Sequence, residues 1–490
     1  MPARLAPLIG PAAVGLLALL LGLYRVGERS IWLDESSSIF VAEVELGRFV
    51  ELITHSKLNM SLYFTLLRPW TTLGSGEGVV RSLSVLLAAG AVPFLYLAVR
   101  RLIDERSAVL ASLALALNGF FVDWAQQARG YGLAMLLASA ATYLLTRLVA
   151  EPRARWWVAY GLVAGLGLYA HVFSSLVVVA HAVALALVWR DRAILRRAAL
   201  GIGLAGVVAA PMVLAVLFGR ASAIDWVGAL SLDGLRVAIR NLSGGGWAIW
   251  LYVAGVLLSG AVLVAWLRRG DPRARGLALL LCWALVPFAL SVAVSLIKPV
   301  LVPRYLLVSL PALAAVMAIG FTGLIRESRI SLAVGAAVLL VAAVSLPAHY
   351  VRADPSDYRG LTAAVARRAL PGDAVTWWTG FHSRPSIYYA RRLGLVDQMP
   401  PPIATNMRWT GNPYSNAPAD PWPSDCLPGR IWLVGGPARL PLDPVAGRAT
   451  TLADLLSGYR QSGPIWRLGD IRLRLYLHEP GATPPTCAAA

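Results

Sequence analysis

Long apolar runs separated by short arginine-rich breaks dominate the first 350 or so residues. Runs near 20 residues have the length that crosses about 30 Å of hydrocarbon as a helix. On this pattern about eleven spans are drawn, at 7–24, 78–99, 107–122, 131–149, 156–173, 174–189, 198–218, 247–267, 276–297, 305–324 and 330–348. The N-terminal run lacks a clear signal-peptide cleavage site and is read as a first span that stays in place. Polar positions break up residues 60–73, which read as an interfacial or re-entrant helix with Trp70 at headgroup level.

The breaks orient the spans. Arg100, Arg101 and Arg106, then Arg147, Arg153 and Arg155, then Arg190, Arg192, Arg196 and Arg197 fall on one side. Arg268, Arg269, Arg273 and Arg275, then Arg326 and Arg329, continue the series on the same side as Arg4. The positive-inside rule makes that side cytoplasmic. The opposite face receives the loops at 25–77, 122–130, 219–246 and 298–304, together with the tail. Chemistry is expected there, on loops carried by a rigid scaffold.

From about residue 349 the texture changes. Asp357–Leu370 has a helical pattern, Asp373–Trp378 reads as a strand and Arg384–Arg392 as a helix. After a Pro-rich stretch, Arg430–Val434 reads as a strand, Leu452–Tyr459 as a helix and Ile471–His478 as an alternating strand. The expected organisation is a polytopic α-helical membrane domain over 1–348 and an extracytoplasmic α/β domain over 349–490.

Composition agrees with this pattern. The chain is 58% hydrophobic and 14% charged, well below the roughly 25% charged residues of a soluble protein. Its formal charge of +18 sits largely in the loop clusters, so it reports topology and does not point to nucleic acid. Only Lys57 and Lys298 are lysines; the other basic residues are arginines. The three cysteines lack metal-ligand spacing; Cys282 lies in an apolar run, and Cys426 and Cys487 both lie in the tail.

Three polar groups stand out. Trp32-Leu33-Asp34-Glu35 follows the first span; adjacent carboxylates point in different directions, and one that is partly desolvated suits general-base work. The alternative is a solvated turn. The stretch DWAQQARGY gathers Asp123, Gln126, Gln127, Arg129 and Tyr131, suited to a sugar or a phosphate or else to helix-end capping. Lys298, Arg304 and Tyr305 in KPVLVPRY place two cations on the outer face, against the usual bias. A phosphate at the membrane surface explains them; snorkelling to headgroups is the alternative. His55 closes the first-loop helix and His171 lies near a span end; neither has a partner at metal-ligand spacing. Asp357, Tyr358 and Arg359 are expected to join the tail to the membrane body, with Arg359 pairing across that junction.

WLDE, DWAQQARGY and PVLVPRY, with a C-terminal soluble domain, resemble the GT-C class of membrane glycosyltransferases. The likeness is to the bacterial relatives of the protein mannosyltransferases and the lipid A aminoarabinose transferase. It implies transfer of one sugar, with inversion, from a polyprenyl-phosphate carrier to an acceptor hydroxyl outside the cytoplasm. The acceptor is a lipid, glycan or protein, and the setting is the cell inner membrane and envelope biogenesis. Carried over by motif, Asp34 is the base and Glu35 assists in positioning it. Asp123 and Arg129 bind donor or acceptor, joined by Gln127, Tyr131, His55 and His171, while Lys298, Arg304 and Tyr305 meet the carrier phosphate. No cofactor is assigned, and the resemblance leaves a divalent metal open. The alternatives are a flippase or transporter of a lipid-linked saccharide, favoured by mid-membrane polar residues and repeated broken helices, and a non-catalytic envelope scaffold. Neither transporter feature stands out in the sequence.

Overall fold

The computed structural model describes residues 6–56, 58–218, 227–325, 327–351, 354, 356–378, 382–403, 428–436, 456 and 458–479. The chain divides into two compact units. One comprises residues 1–26, 42–73 and 78–352, and the other residues 27–41, 74–77 and 353–490. Two pieces of the first loop thus fold with the tail sequence.

The first unit is helical. Among the described residues seven helices are long and apolar enough to cross a membrane: Glu77–Leu102, Tyr131–Ala150, Arg192–Ala215, Ala248–Arg268, Arg273–Ser295, Pro303–Thr322 and Arg329–Tyr350. Glu105–Ala116 and Gly119–Ala125, bent by 59°, make an eighth if counted as one span. The bend has a local cause: Asn118 ends one helix and caps the next, its Oδ1 accepting from Phe121 N–H at 3.0 Å. Of the other expected spans, Ile9–Leu23 and Ser174–Val188 are shorter apolar helices, and Ala154–Ala170 has 17 residues. The chain is therefore a polytopic α-helical membrane protein with seven to eight long apolar helices among the described residues, and several of the about eleven spans drawn from the sequence are shorter helices.

Packing within this unit relies on small residues, as expected where lipid removes the usual apolar driving force between helices. A Cβ on Gly320 would lie 1.9 Å from the Gly255 carbonyl oxygen, so two helices meet backbone to backbone there. Trp283 is fully buried and donates to the Val308 carbonyl at 2.9 Å. Leu257, Leu332 and Leu340 are largely exposed, as lipid-facing positions are. Cys282 is half-buried in the Arg273–Ser295 helix. Ser61–Trp70 is a short helix burying Tyr63, Phe64 and Leu67, and Trp70 donates to Val79 O at 3.0 Å.

The second unit holds a four-stranded sheet: β1 Asp373–Trp377, β2 Arg430–Val434, β3 Tyr459–Leu468 and β4 Ile471–His478, in the order β1-β2-β4-β3. β1 pairs with β2 in parallel, Asp373 opposite Arg430, and the other two pairings are antiparallel. β1 is buried along its whole length, and Ala374, Ile431, Leu433 and Tyr476 form part of the core. Helices Tyr358–Arg368, capped by Asp357, and Ser383–Arg392 belong to this unit. Asp373 ties the sheet together: its carboxylate accepts from Trp432 Nε1 at 2.8 Å and Leu370 N–H at 3.0 Å, and lies 2.9 Å from Arg430 Nε.

One expectation is corrected. Tyr459, placed at the end of a helix from Leu452, opens strand β3 and pairs with His478; residues 452–455 lie outside the described residues. Gly463 and Pro464 hid the strand, because together they break its alternation. The register shifts between Ser462 and Trp466, and β3 is an edge strand, where a proline costs no ladder bond. Cys426, Cys487, Lys57 and Arg326 also lie outside the described residues.

Candidate functional site

Asp34 and Glu35 occupy the first turn of the Leu33–Glu43 helix, where the helix dipole favours negative charge. The two carboxylates part company: Glu35 is 0% exposed, whereas Asp34 is half-buried. Ser36 and Ser37 hydroxyls donate to Leu33 O, each at 2.9 Å, and Ser38 Oγ donates to Asp34 O at 3.1 Å.

Residues from the tail sequence hold the start of this helix. Ser30 N–H donates to Asp354 Oδ2 at 2.5 Å, Arg359 N–H donates to Ser30 Oγ at 3.1 Å, and Ile31 N–H donates to the Tyr389 hydroxyl at 2.6 Å. That hydroxyl donates in turn to Glu77 Oε1 at 3.1 Å, and burial pushes it up to about 12. Arg359 Nη2 lies 2.5 Å from Glu77 Oε1, and Arg392 Nε 3.7 Å from Oε2. Arg359 thus forms an ion pair with a first-loop acid that belongs to the same unit. Arg384 Nη1 donates to Ser37 Oγ at 2.8 Å and its guanidinium stacks over Phe40; burial draws its proton affinity down.

The helical unit holds the second group. Arg304 Nε donates to the Tyr131 hydroxyl at 3.1 Å, and its guanidinium lies 5.6 Å from the Trp124 ring centre and 5.4 Å from that of Tyr305. Tyr131, His171, Phe173 and Tyr305 form a continuous ring cluster, with Tyr131 to His171 at 5.4 Å and His171 to Tyr305 at 5.0 Å. Tyr131 and His171 are each 2% exposed. A planar guanidinium set among rings is the kind of group that pairs with phosphate oxygens. Arg304, Tyr131, Tyr305 and His171 are thus brought together from sequence positions far apart.

Asp123 meets a partner that the sequence reading passed over. His349 Nδ1 lies 2.7 Å from Asp123 Oδ2, and its Nε2 lies 2.9 Å from Gly244 O. Both ring nitrogens lie within hydrogen-bond distance of an acceptor oxygen, so the imidazole bridges the Asp123 carboxylate and the Gly244 carbonyl. The only sequence cue was a polar residue closing the last apolar run. Gln126 serves structure, donating to Gly22 O and Tyr24 O at 2.9 and 2.8 Å. Gln127 and Arg129 are half-buried; the Arg129 carbonyl accepts from Ser84 Oγ at 3.3 Å. Lys298 is exposed. His55 is exposed and bonds within its own segment, to Thr54 Oγ1 and Glu51 O. Among the described residues no three His, Cys, Asp or Glu side chains converge as metal ligands.

A polytopic helical unit and a sheet unit, the latter taking up the first-loop segment with the acidic pair, form the arrangement expected of the GT-C fold. Comparison with known proteins supports that class. The family described as dolichyl-phosphate-mannose-protein mannosyltransferase matches residues 62–218. ArnT from Cupriavidus metallidurans, solved with undecaprenyl phosphate, aligns over 97% of this chain and 99% of its own, with a TM-score of 0.56 at 14% identity. Its apo structure aligns over 95% and 97%, with a TM-score of 0.58 at 14% identity. The apo oligosaccharyltransferase of Archaeoglobus fulgidus aligns over 77% of this chain and 64% of its own, with a TM-score of 0.50 at 14% identity. No curated protein sequence matches the chain. The chain thus has the GT-C fold and resembles the ArnT, protein-mannosyltransferase and oligosaccharyltransferase group.

Proposed function

We propose that this chain is an inverting glycosyltransferase that moves a single sugar from a polyprenyl-phosphate carrier to an acceptor hydroxyl on the periplasmic or external side of the membrane. The observation that carries the reading is the divided acidic pair. Glu35 is fully buried while Asp34, one residue earlier in the first turn of the same helix, is only half-buried. End-to-end likeness to a transferase solved with a polyprenyl phosphate supports the donor class.

Asp34 takes the proton of the acceptor hydroxyl as its oxygen attacks the anomeric carbon. The bond from that carbon to the carrier phosphate breaks, and polyprenyl phosphate leaves from the opposite face with the bonding electrons. Such a leaving group needs cations more than an acid, a task given to Lys298 and Arg304, with Tyr305 beside them. Asp123, Gln127, Arg129, Tyr131, His171 and His55 are assigned to the sugar and acceptor. Positioning and electrostatics supply most of the rate gain. In this reading eleven helices cross the cell inner membrane, some as short or broken spans, and the site and C-terminal unit face outward.

The test is transfer of radiolabelled sugar from a panel of polyprenyl-phosphate sugars to envelope acceptors, with wild type and Asp34→Asn purified side by side. Loss of a general base should lower transfer by about 10²–10⁴-fold. Equal transfer by both proteins would remove Asp34 from the mechanism. Transfer by neither across the panel would favour the transporter and scaffold readings.

A further inference from the structure

The Tyr389 hydroxyl is placed where it can control the direction of the Leu33–Glu43 helix. Trp32 is the residue whose carbonyl accepts the first helical bond, from Ser36 N–H at 2.9 Å. Ile31 immediately precedes it, 0% exposed, and its N–H points at the Tyr389 oxygen 2.6 Å away. Tyr389 is also 0% exposed. Its hydroxyl proton goes to Glu77 Oε1, so acceptor and donor capacity are both committed within the fold. Glu77 is in turn fixed by Arg359, whose own backbone N–H holds Ser30. Two consecutive residues before the acidic pair are therefore fixed by residues more than 300 positions later.

We propose that Tyr389 is a positioning residue: backed by Glu77, it fixes the start of the helix so that Asp34 points along the line of proton transfer. The inference rests on Asp34 acting as the base. Tyr389 touches no reacting atom, because its hydroxyl is engaged within the fold by Ile31, Ser30 and Glu77. Its effect must pass through the aim of the helix. Asp34 lies three residues beyond Ile31, so a small tilt at residue 31 moves its carboxylate directly. Reactions that depend on alignment lose about a hundredfold for a misplacement near 1 Å.

The experiment is a double-mutant cycle on the full chain, with Tyr389→Phe, Asp34→Asn and the two combined, measuring kcat and KM for donor and acceptor. Tyr389→Phe removes one oxygen and keeps the ring. It should lower kcat by about tenfold or more while both KM values stay within about twofold, the pattern of an interaction used only at the transition state. Added to Asp34→Asn, it should lower the residual rate no further, since two changes acting through one group do not add. Tyr388→Phe, altering a hydroxyl bonded to Ser75 O, is the neighbouring control and should keep the wild-type kcat. If Tyr389→Phe cannot be purified, Glu77→Gln runs the same cycle: it removes the charge that pairs with Arg359 and so loosens the backing of Tyr389, and should lower kcat in the wild-type background but not in Asp34→Asn. Wild-type kcat in Tyr389→Phe, or an equal fold loss in the Asp34→Asn background, would overturn the proposal. Full activity in Asp34→Asn alone would instead overturn the assignment of the base.

Discussion

His382 should make the C-terminal unit acid-labile through a single ring. Its Nδ1 accepts from the Tyr358 hydroxyl at 2.5 Å, and its ring lies against Gly435, where a Cβ would come within 3.1 Å of it. Burial pushes its proton affinity down from 6.5 to about 4. The folded state thus holds the ring neutral while the unfolded chain protonates it near 6.5, and between those values the unfolded state binds more protons. Stability is fully present above about pH 6.5 and is lost as the pH falls through 4. A shift of about 2.5 units amounts to ~3 kcal/mol in all, of which ~2 kcal/mol is lost between pH 7.5 and 5. For a unit of this size that is a fall in Tm of roughly 4–8 °C.

The assay is thermal unfolding of the detergent-purified full chain by tryptophan fluorescence, at pH 7.5, 6 and 5, for wild type and His382→Asn. Asparagine keeps an acceptor near the position of Nδ1 and cannot be protonated in this range. Carboxylates elsewhere titrate alike in both proteins, so the difference between the two pH slopes isolates His382. Wild type should lose several degrees more than the variant between pH 7.5 and 5. Parallel slopes would refute the reasoning, because they would mean the ring is solvated or already charged in the fold. The consequence reaches the acidic pair: His382 immediately precedes the Ser383–Arg392 helix, which carries both Arg384 and Tyr389.

Two further outcomes test other parts of the structure. Arg304→Gln should raise KM for the polyprenyl-phosphate donor by about tenfold or more, as loss of a charge-assisted bond to phosphate does, and Arg304→Lys should recover part of it; an unchanged KM in steady-state kinetics removes Arg304 from donor binding. Gly320→Ala should cost about 1–3 kcal/mol or prevent folding, because its methyl meets the Gly255 carbonyl, whereas Gly260→Ala, with nothing within 4 Å, should be tolerated; similar melting temperatures for the two would contradict the close helix contact.

Local pattern made the helices, the acidic pair and three of the four strands legible. Asp373–Trp377, Arg430–Val434 and Ile471–His478 each read as runs of strand residues, and so they are. Hydropathy located the apolar segments but not their lengths. A window sees the run through Leu117 and Phe121 as continuous, while the chain uses the Asn118 side chain to start a second helix. What stayed hidden was what depends on distant partners. Asp123 was singled out, yet its contact lies 226 residues away at His349. Arg304 and Tyr131 were singled out separately, and nothing local says that two positions 173 apart come within 3.1 Å. Nothing local marks Glu77 and Tyr389 as partners, because 312 positions separate them.

The division of the first loop has a consequence for how the site is made. Residues 27–41 fold with 353–490, so the helix that carries Asp34 is an early stretch of chain completed by a late one. The bond from Ile31 to Tyr389 closes a separation of 358 residues, and that from Ser30 to Arg359 closes 329. Such contacts carry the largest loop-closure cost and form after local ones. Residue 33 onward has helix-forming sequence of its own, with two acids in the first turn, so the helix can appear early. Its direction cannot be fixed until Tyr389 and Arg359 have been synthesised and the Glu77 ion pair has closed around them. In the proposed mechanism the base is then present from the first loop onward but aimed only in the finished chain, which makes the C-terminal unit part of the catalytic apparatus and not an appended binding module.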